Sequence, residues 1–377
     1  MFQPSMSPGD RRLVSTWLFA VCVLVAVMVT VGGATRLTDS GLSIVEWRPV
    51  TGAVPPLTEA HWLEEFEKYK TIPEYRLVNR GMSLDEFKEI YWWEWGHRFL
   101  GRLIGLAFLA PFLGFLLLRK LTAALALRLG GLFLLGGAQG ALGWWMVASG
   151  LSERIDVSQY RLAAHLGLAV LLFGLMFWTA IELRAPVAAG TRGTARSAPS
   201  AALRLAAALL VVGVFCQMIL GAFVAGLRAG RLFNTWPLMD GRFFPDGYFD
   251  GAPGLADLFE TAAAAQFNHR IGAYLLLTGA GWFALAAWRT SLRLPAGLLF
   301  STVAAQALLG IVTLTAGTPI ALGLAHQALA LVVFAAALIA VHSSTAGASS
   351  LSDVSASLGA GGENSGIAGP ANGASSR

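Results

Sequence analysis

Trp92-Trp93-Glu94-Trp95-Gly96-His97-Arg98-Phe99-Leu100-Gly101-Arg102-Leu103-Ile104-Gly105 leads an ionisable cluster directly into an apolar run. An ionisable side chain within a membrane span is costly, so it faces the bundle interior and has a task there. His165, His269 and His326 also lie near the starts of long apolar runs. Histidine is a common axial ligand of haem iron. Two such pairs on two halves of the chain predict two haem sites.

The surrounding composition belongs to a membrane. Of 377 residues, 55% are hydrophobic and 13% charged, with a mean hydropathy of +0.62, which excludes an ordinary soluble domain. A helix of about 20 apolar residues crosses a bilayer. Eight runs qualify: 15–34, 98–118, 129–149, 162–183, 204–226, 270–288, 295–316 and 321–342. No convincing cleavage site follows the first, so it reads as a retained helix. Cys22 and Cys216 both lie inside these runs and there is no CxxC, so any haem is held without covalent attachment.

Arginines and lysines collect in alternate connections: Arg11 and Arg12; Arg119, Lys120 and Arg128; Arg184, Arg192, Arg196 and Arg204; Arg289 and Arg293. The opposite connections are long, and the first is acidic, with Asp39, Glu46, Glu59, Glu64, Glu65, Glu67 and Glu74. The positive-inside rule places both termini in the cytoplasm or matrix. Topology thus accounts for the net charge of +5, and no nucleic-acid partner is implied. Residues 1–14 form a cytoplasmic lead without a transit-type segment, which favours a bacterial inner membrane. Residues 15–183 form a first half with a long outer loop over 35–96, 184–203 an inside linker, 204–342 a second half, and 343–377 a Gly/Ser/Ala-rich tail expected to be disordered.

The halves repeat. Gln139-Gly140-Ala141-Leu142-Gly143 matches Gln306-Ala307-Leu308-Leu309-Gly310; His97-Arg98 opens the second run and His269-Arg270 the sixth; His165 and His326 lie early in the fourth and eighth. A four-helix unit used twice keeps its orientation, because four is even. The expected fold is therefore an all-α membrane protein of two tandem four-helix bundles, related by a pseudo-two-fold axis along the membrane normal. All four histidines fall toward the outer, periplasmic side, His97 opposite His165 and His269 opposite His326.

Several residues around them have two open readings. Gly101 and Gly105 either leave room for a flat macrocycle or let helices approach closely. Arg98 and Arg102 either pair with haem propionates or snorkel to headgroups. Arg36, at the first exit, and Arg228, at the fifth, either meet propionates or anchor the surface. Glu94 and His97 share a helix face if the helix begins early enough. His61 and His342 read as surface and interfacial residues. The Glu-x-x-His spacing occurs once, which disfavours a di-iron oxidase.

Gly32-Gly33-Ala34-Thr35-Arg36-Leu37-Thr38-Asp39-Ser40-Gly41-Leu42-Ser43, the segment Trp47 to Leu57, Glu94 to Arg98, and Phe233-Asn234-Thr235-Trp236-Pro237-Leu238-Met239 are long and peculiar motifs. In them, and over residues 12–342, the chain resembles the haem A synthases of mitochondria and alphaproteobacteria. The resemblance implies an oxidoreductase that oxidises the C8 methyl of haem O to a formyl group through an alcohol, giving haem A for cytochrome oxidase. It implies substrate haem between His97 and His165, with Glu94 in the chemistry, and haem b as cofactor between His269 and His326. On that assignment Arg36 and Arg98 are expected, from their positions in the chain, at the substrate haem and Arg228 and Arg270 at haem b. Haem O synthase, oxidase assembly factors, an electron donor, membrane lipid and a second copy of the chain are the partners it suggests. Some members carry a cysteine pair in the first outer loop, and this chain has none. Histidine pairs alone would equally suit a di-haem electron carrier without catalysis.

Overall fold

The computed structural model describes residues 5–152, 154–184, 197–251 and 254–360, with side chains to 345. It is helical, and among the described residues there is no strand beyond two isolated bridges. The long helices are α1 (Pro8–Leu37), α4 (Leu84–Leu117), α5 (Ala123–Ala148), α6 (Gln159–Arg184), α7 (Ala201–Gly226), α8 (Ala262–Ala286), α9 (Arg293–Thr315) and α10 (Ile320–Ala360); α2 (Glu59–Tyr69) and α3 (Pro73–Leu77) lie between α1 and α4. Side-chain caps set many starts: Ser7, Thr122, Ser200 and Thr261 each accept a backbone N–H three residues on, the usual N-cap device.

Seven helices are long and apolar enough to cross a membrane, so the chain is an integral membrane protein. The eighth expected span is present as α8 but is not among the seven, since Gln266, Asn268, His269 and Arg270 crowd its first half. Several helix starts also need correction: α1 begins at Pro8 rather than 15, inside the expected lead, and α5 at Ala123 rather than 129, while two others move furthest. The second run begins at Leu84 rather than 98, because Ser83 and Glu86 form a reciprocal capping box that starts the helix well before its apolar part. The sixth begins at Ala262 rather than 270, capped by Thr261. The expected loop over 35–96 is consequently α2, α3 and the first turns of α4. The linker expected over 184–203 lies largely outside the described residues, as does the end of the tail. α10 continues past 342 to Ala360 through a proline-free Ala/Ser/Leu stretch.

Helix contacts close two rings. α1 touches α4 and α6, and α5 touches α4 and α6; α7 touches α8 and α10, and α9 touches α8 and α10. Between the rings, α6 packs on α7, α1 on α10, and α6 on α10. The main apolar core runs through these contacts, with Leu18, Phe173, Val214 and Phe334 among its buried members. A second core, including Leu42, Phe66, Tyr69, Phe87 and Val157, joins α2, the start of α4 and the α5–α6 connection into a cap over one end of the first ring.

Candidate haem-binding site

Each of the four histidines faces a glycine on the adjacent helix. A Cβ on Gly32 of α1 would lie 3.0 Å from His97 Nε2 on α4, and one on Gly143 of α5 would lie 2.8 Å from His165 Cε1 on α6. In the second ring, a Cβ on Gly221 of α7 would lie 3.3 Å from His269 Cε1 on α8, and one on Gly310 of α9 2.8 Å from His326 Cε1 on α10. The His165 and His326 imidazoles occupy space that only a missing side chain leaves free, and those of His97 and His269 lie nearly as close. The His269 and His326 rings are brought together, with centroids 6.4 Å apart and planes at 73°.

Glutamines reach three of these rings. Gln139 Nε2 donates to the His165 carbonyl at 3.0 Å and lies 3.1 Å from its Nδ1. Gln217 does the same to His269, at 2.8 and 3.0 Å. Gln306 donates to the His326 carbonyl at 2.9 Å and lies 3.3 Å from its Nε2. Gln139 and Gln306 stand out in the sequence; Gln217 was missed, although Gln217 to Gly221 repeats the Gln-x-x-x-Gly spacing of the other two. The Oε1 atoms of all three glutamines, and His326 Nδ1, are buried without a partner.

α4 begins early enough to put Glu94 one turn before His97. Glu94 is 2% exposed. Its Oε2 accepts from Ser43 Oγ and the Ile44 N–H, both at 2.8 Å, and its Oε1 from Arg98 Nη2 at 2.6 Å. Arg98 also donates to the carbonyls of Ile44 and Glu46, and Arg102 to those of Arg48 and Pro49. Both arginines therefore clamp the segment after α1, a role neither of the expected readings contained. Gly105 has nothing within 4 Å of a Cβ position, whereas Gly101 faces Met28 Cε at 3.3 Å. Close helix approach thus does not explain Gly105.

The second half repeats this clamp with one change. Gln266 stands one turn before His269, where the first half has Glu94. It donates to the Ala229 and Leu232 carbonyls at 2.8 Å and accepts from Arg270 Nη2 at 3.0 Å. Arg270 also donates to the Phe233 carbonyl at 2.7 Å. The signal was legible as Glu-x-x-His-Arg against Gln-x-x-His-Arg.

Arg36 and Arg228 meet each other's acids. Arg36 Nη1 and Arg228 Nη2 both lie 2.9 Å from Asp156 Oδ1, and Arg228 also lies 3.0 Å from Asp39. This pairing ties the exits of α1 and α7 to the α5–α6 connection. Beside it is a cavity of about 310 Å³ lined by Asp39, Glu74, Asn79, Asp156 and Arg228. Glu74 is buried there, with Tyr69 Oη at 3.2 Å. Burial pushes its carboxyl up to about 8, and the nearby acids act in the same direction.

Comparison with known proteins identifies the family. Residues 15–338 match the family described as cytochrome oxidase assembly protein. The chain is 56% identical to a haem A synthase of Parvibaculum lavamentivorans over 334 residues, 89% of this chain and 95% of the relative. It is 50% identical to that of Maricaulis maris over 336 residues, 88% and 96% of the two chains. It is 53% identical to that of Bradyrhizobium diazoefficiens over 336 residues, 87% and 90%. With motifs, histidine-bearing helices and relatives all in agreement over most of its length, the chain belongs to the haem A synthase family of cytochrome oxidase assembly proteins.

Proposed function

We propose that the chain oxidises the C8 methyl of haem O to a formyl group, by successive hydroxylations through an alcohol, and so makes haem A. Substrate haem lies between His97 and His165, and haem b between His269 and His326. The fold behind this is eight spans in two tandem bundles. The matching neighbour pattern of the two rings supports a pseudo-two-fold axis along the membrane normal, and the alternating basic connections support cytoplasmic termini and periplasmic haem sites.

The second-half residues fit the group: the His269 and His326 rings approach each other with centroids 6.4 Å apart, and these two imidazoles would hold the iron of haem b. Bound haem b would supply electron relay.

The observation that carries the reading is Glu94 opposed to Gln266. At equivalent places one turn before a histidine, the first half has a group that can take or give a proton and the second an amide that cannot. Glu94, which accepts from Ser43 Oγ at 2.8 Å, would take up a proton beside the substrate, whereas Gln266 only closes its loop. Arg98 and Arg270 hold the outer segments over the two sites and limit water entry. Arg36 and Arg228 can neutralise propionates in competition with Asp39 and Asp156.

The test is extraction and chromatographic identification of the haems in purified protein, before and after haem O is supplied. Haem b together with haem O, the alcohol or haem A is the expected result. Two equal, non-exchanging haem b groups, unaffected by haem O, would replace this reading with an electron carrier.

A further inference from the structure

We propose that Met28 makes the first-half site the exchangeable one, by leaving His97 as the one histidine of the four that no glutamine holds. The inference rests on the assignment of the two histidine pairs to haem. Four residues before the glycine that faces each histidine stand Gln139, Gln217 and Gln306, but at the fourth position, before Gly32, stands Met28. The two side chains reach neighbouring places on the facing helix: Gln217 Oε1 lies against Gly272, three residues after His269, and Met28 Cε lies 3.3 Å from a Cβ position on Gly101, four residues after His97. Each glutamine bonds the carbonyl of its histidine and approaches the ring. Among the described residues no side chain does this for His97.

The chemistry of the exchange follows from the side chains. A primary amide has both a donor and an acceptor, so it serves whichever nitrogen the ring presents. Such outer hydrogen bonds fix the orientation of a metal-bound imidazole. A thioether has no donor and accepts weakly; it fills space and bends with it. His97 therefore packs without being oriented, and its ring turns away from iron at the least cost. A site that admits one haem and releases another needs one ligand that leaves. A site that keeps its haem needs two that stay, and the second half has a glutamine on each. Met28 is a positioning residue acting through His97.

Haem transfer from the detergent-solubilised full chain to excess apomyoglobin reads this directly, without turnover. Wild type should lose haem in a fast and a slow phase. Met28→Gln should slow the fast phase about tenfold, the scale of one added hydrogen bond, and Gln217→Met should speed the slow phase by about as much. An unchanged fast phase in folded Met28→Gln overturns the proposal. If that variant does not fold, Gln217→Met decides, and an unchanged slow phase overturns it. His97→Ala should abolish the fast phase and His269→Ala the slow one; if both variants keep both phases, it is the haem assignment that falls.

Discussion

Replacing Gly310 with alanine separates a histidine that binds metal from one that merely packs. The added Cβ would lie 2.8 Å from His326 Cε1 and 3.4 Å from Nδ1. Carbon atoms in contact settle about 3.5–4.0 Å apart, so the ring must retreat by about 0.7 Å. A ligating nitrogen keeps its metal only within about 0.2 Å of the normal bond length. The imidazole is the free end of a side chain and can turn, so the helices stay packed while the ligand position is lost. Overpacking of this kind costs about 1–3 kcal/mol, which leaves the fold intact. Gly221→Ala is the graded control, because its Cβ would lie 3.3 Å from His269 Cε1, short of contact by only about 0.2 Å. The assay is the haem-to-protein ratio by pyridine haemochrome, with thermal unfolding followed on the same samples. Gly310→Ala should lose about one haem per chain and unfold near the wild-type temperature, while Gly221→Ala should keep its haem. A full haem complement in Gly310→Ala, or equal loss in both variants, refutes the reasoning.

Arg98→Ala strands the Glu94 carboxylate in a nearly dry position, at a cost of about 3–5 kcal/mol; limited proteolysis should then cut faster between residues 39 and 58, and an unchanged rate would show that the clamp is not needed. Glu94→Gln copies the second half's Gln266, so the fold and both haems should survive while haem A formation in a supplied-haem-O assay fails; undiminished formation would remove Glu94 from the chemistry. For Glu74 the folded carboxyl titrates at about 8 against an ordinary 4.5. The folded state thus holds a proton the unfolded chain has lost, and stability falls as pH rises between those values and levels off above about 8. Glu74→Gln should flatten that slope and raise the unfolding temperature at pH 9; a slope that persists would assign it to another group.

The membrane helices and the fourfold histidine pattern were legible without coordinates. In hydrocarbon a backbone must satisfy its own hydrogen bonds, so composition alone selects a helix over each apolar run. Histidine is rare enough there that its recurrence is informative. The starts of α4 and α8 were misread because hydropathy marks where a helix becomes apolar, whereas Ser83 and Thr261 mark where it begins. The Gln217 grip on His269 and the Glu94–Gln266 contrast were present in the spacing, but only the packing showed which face each side chain meets. Other relations were not in the sequence at all. Arg36 and Arg228 converge on Asp156 from positions 120 and 72 residues away, and Arg98 and Arg102 turn back onto carbonyls of the segment before them rather than toward lipid. A helix forms from its own residues and its solvent. The choice of partner for a charged side chain depends on which other helices bring carboxylates or free carbonyls within reach, and only the assembled bundle sets those distances.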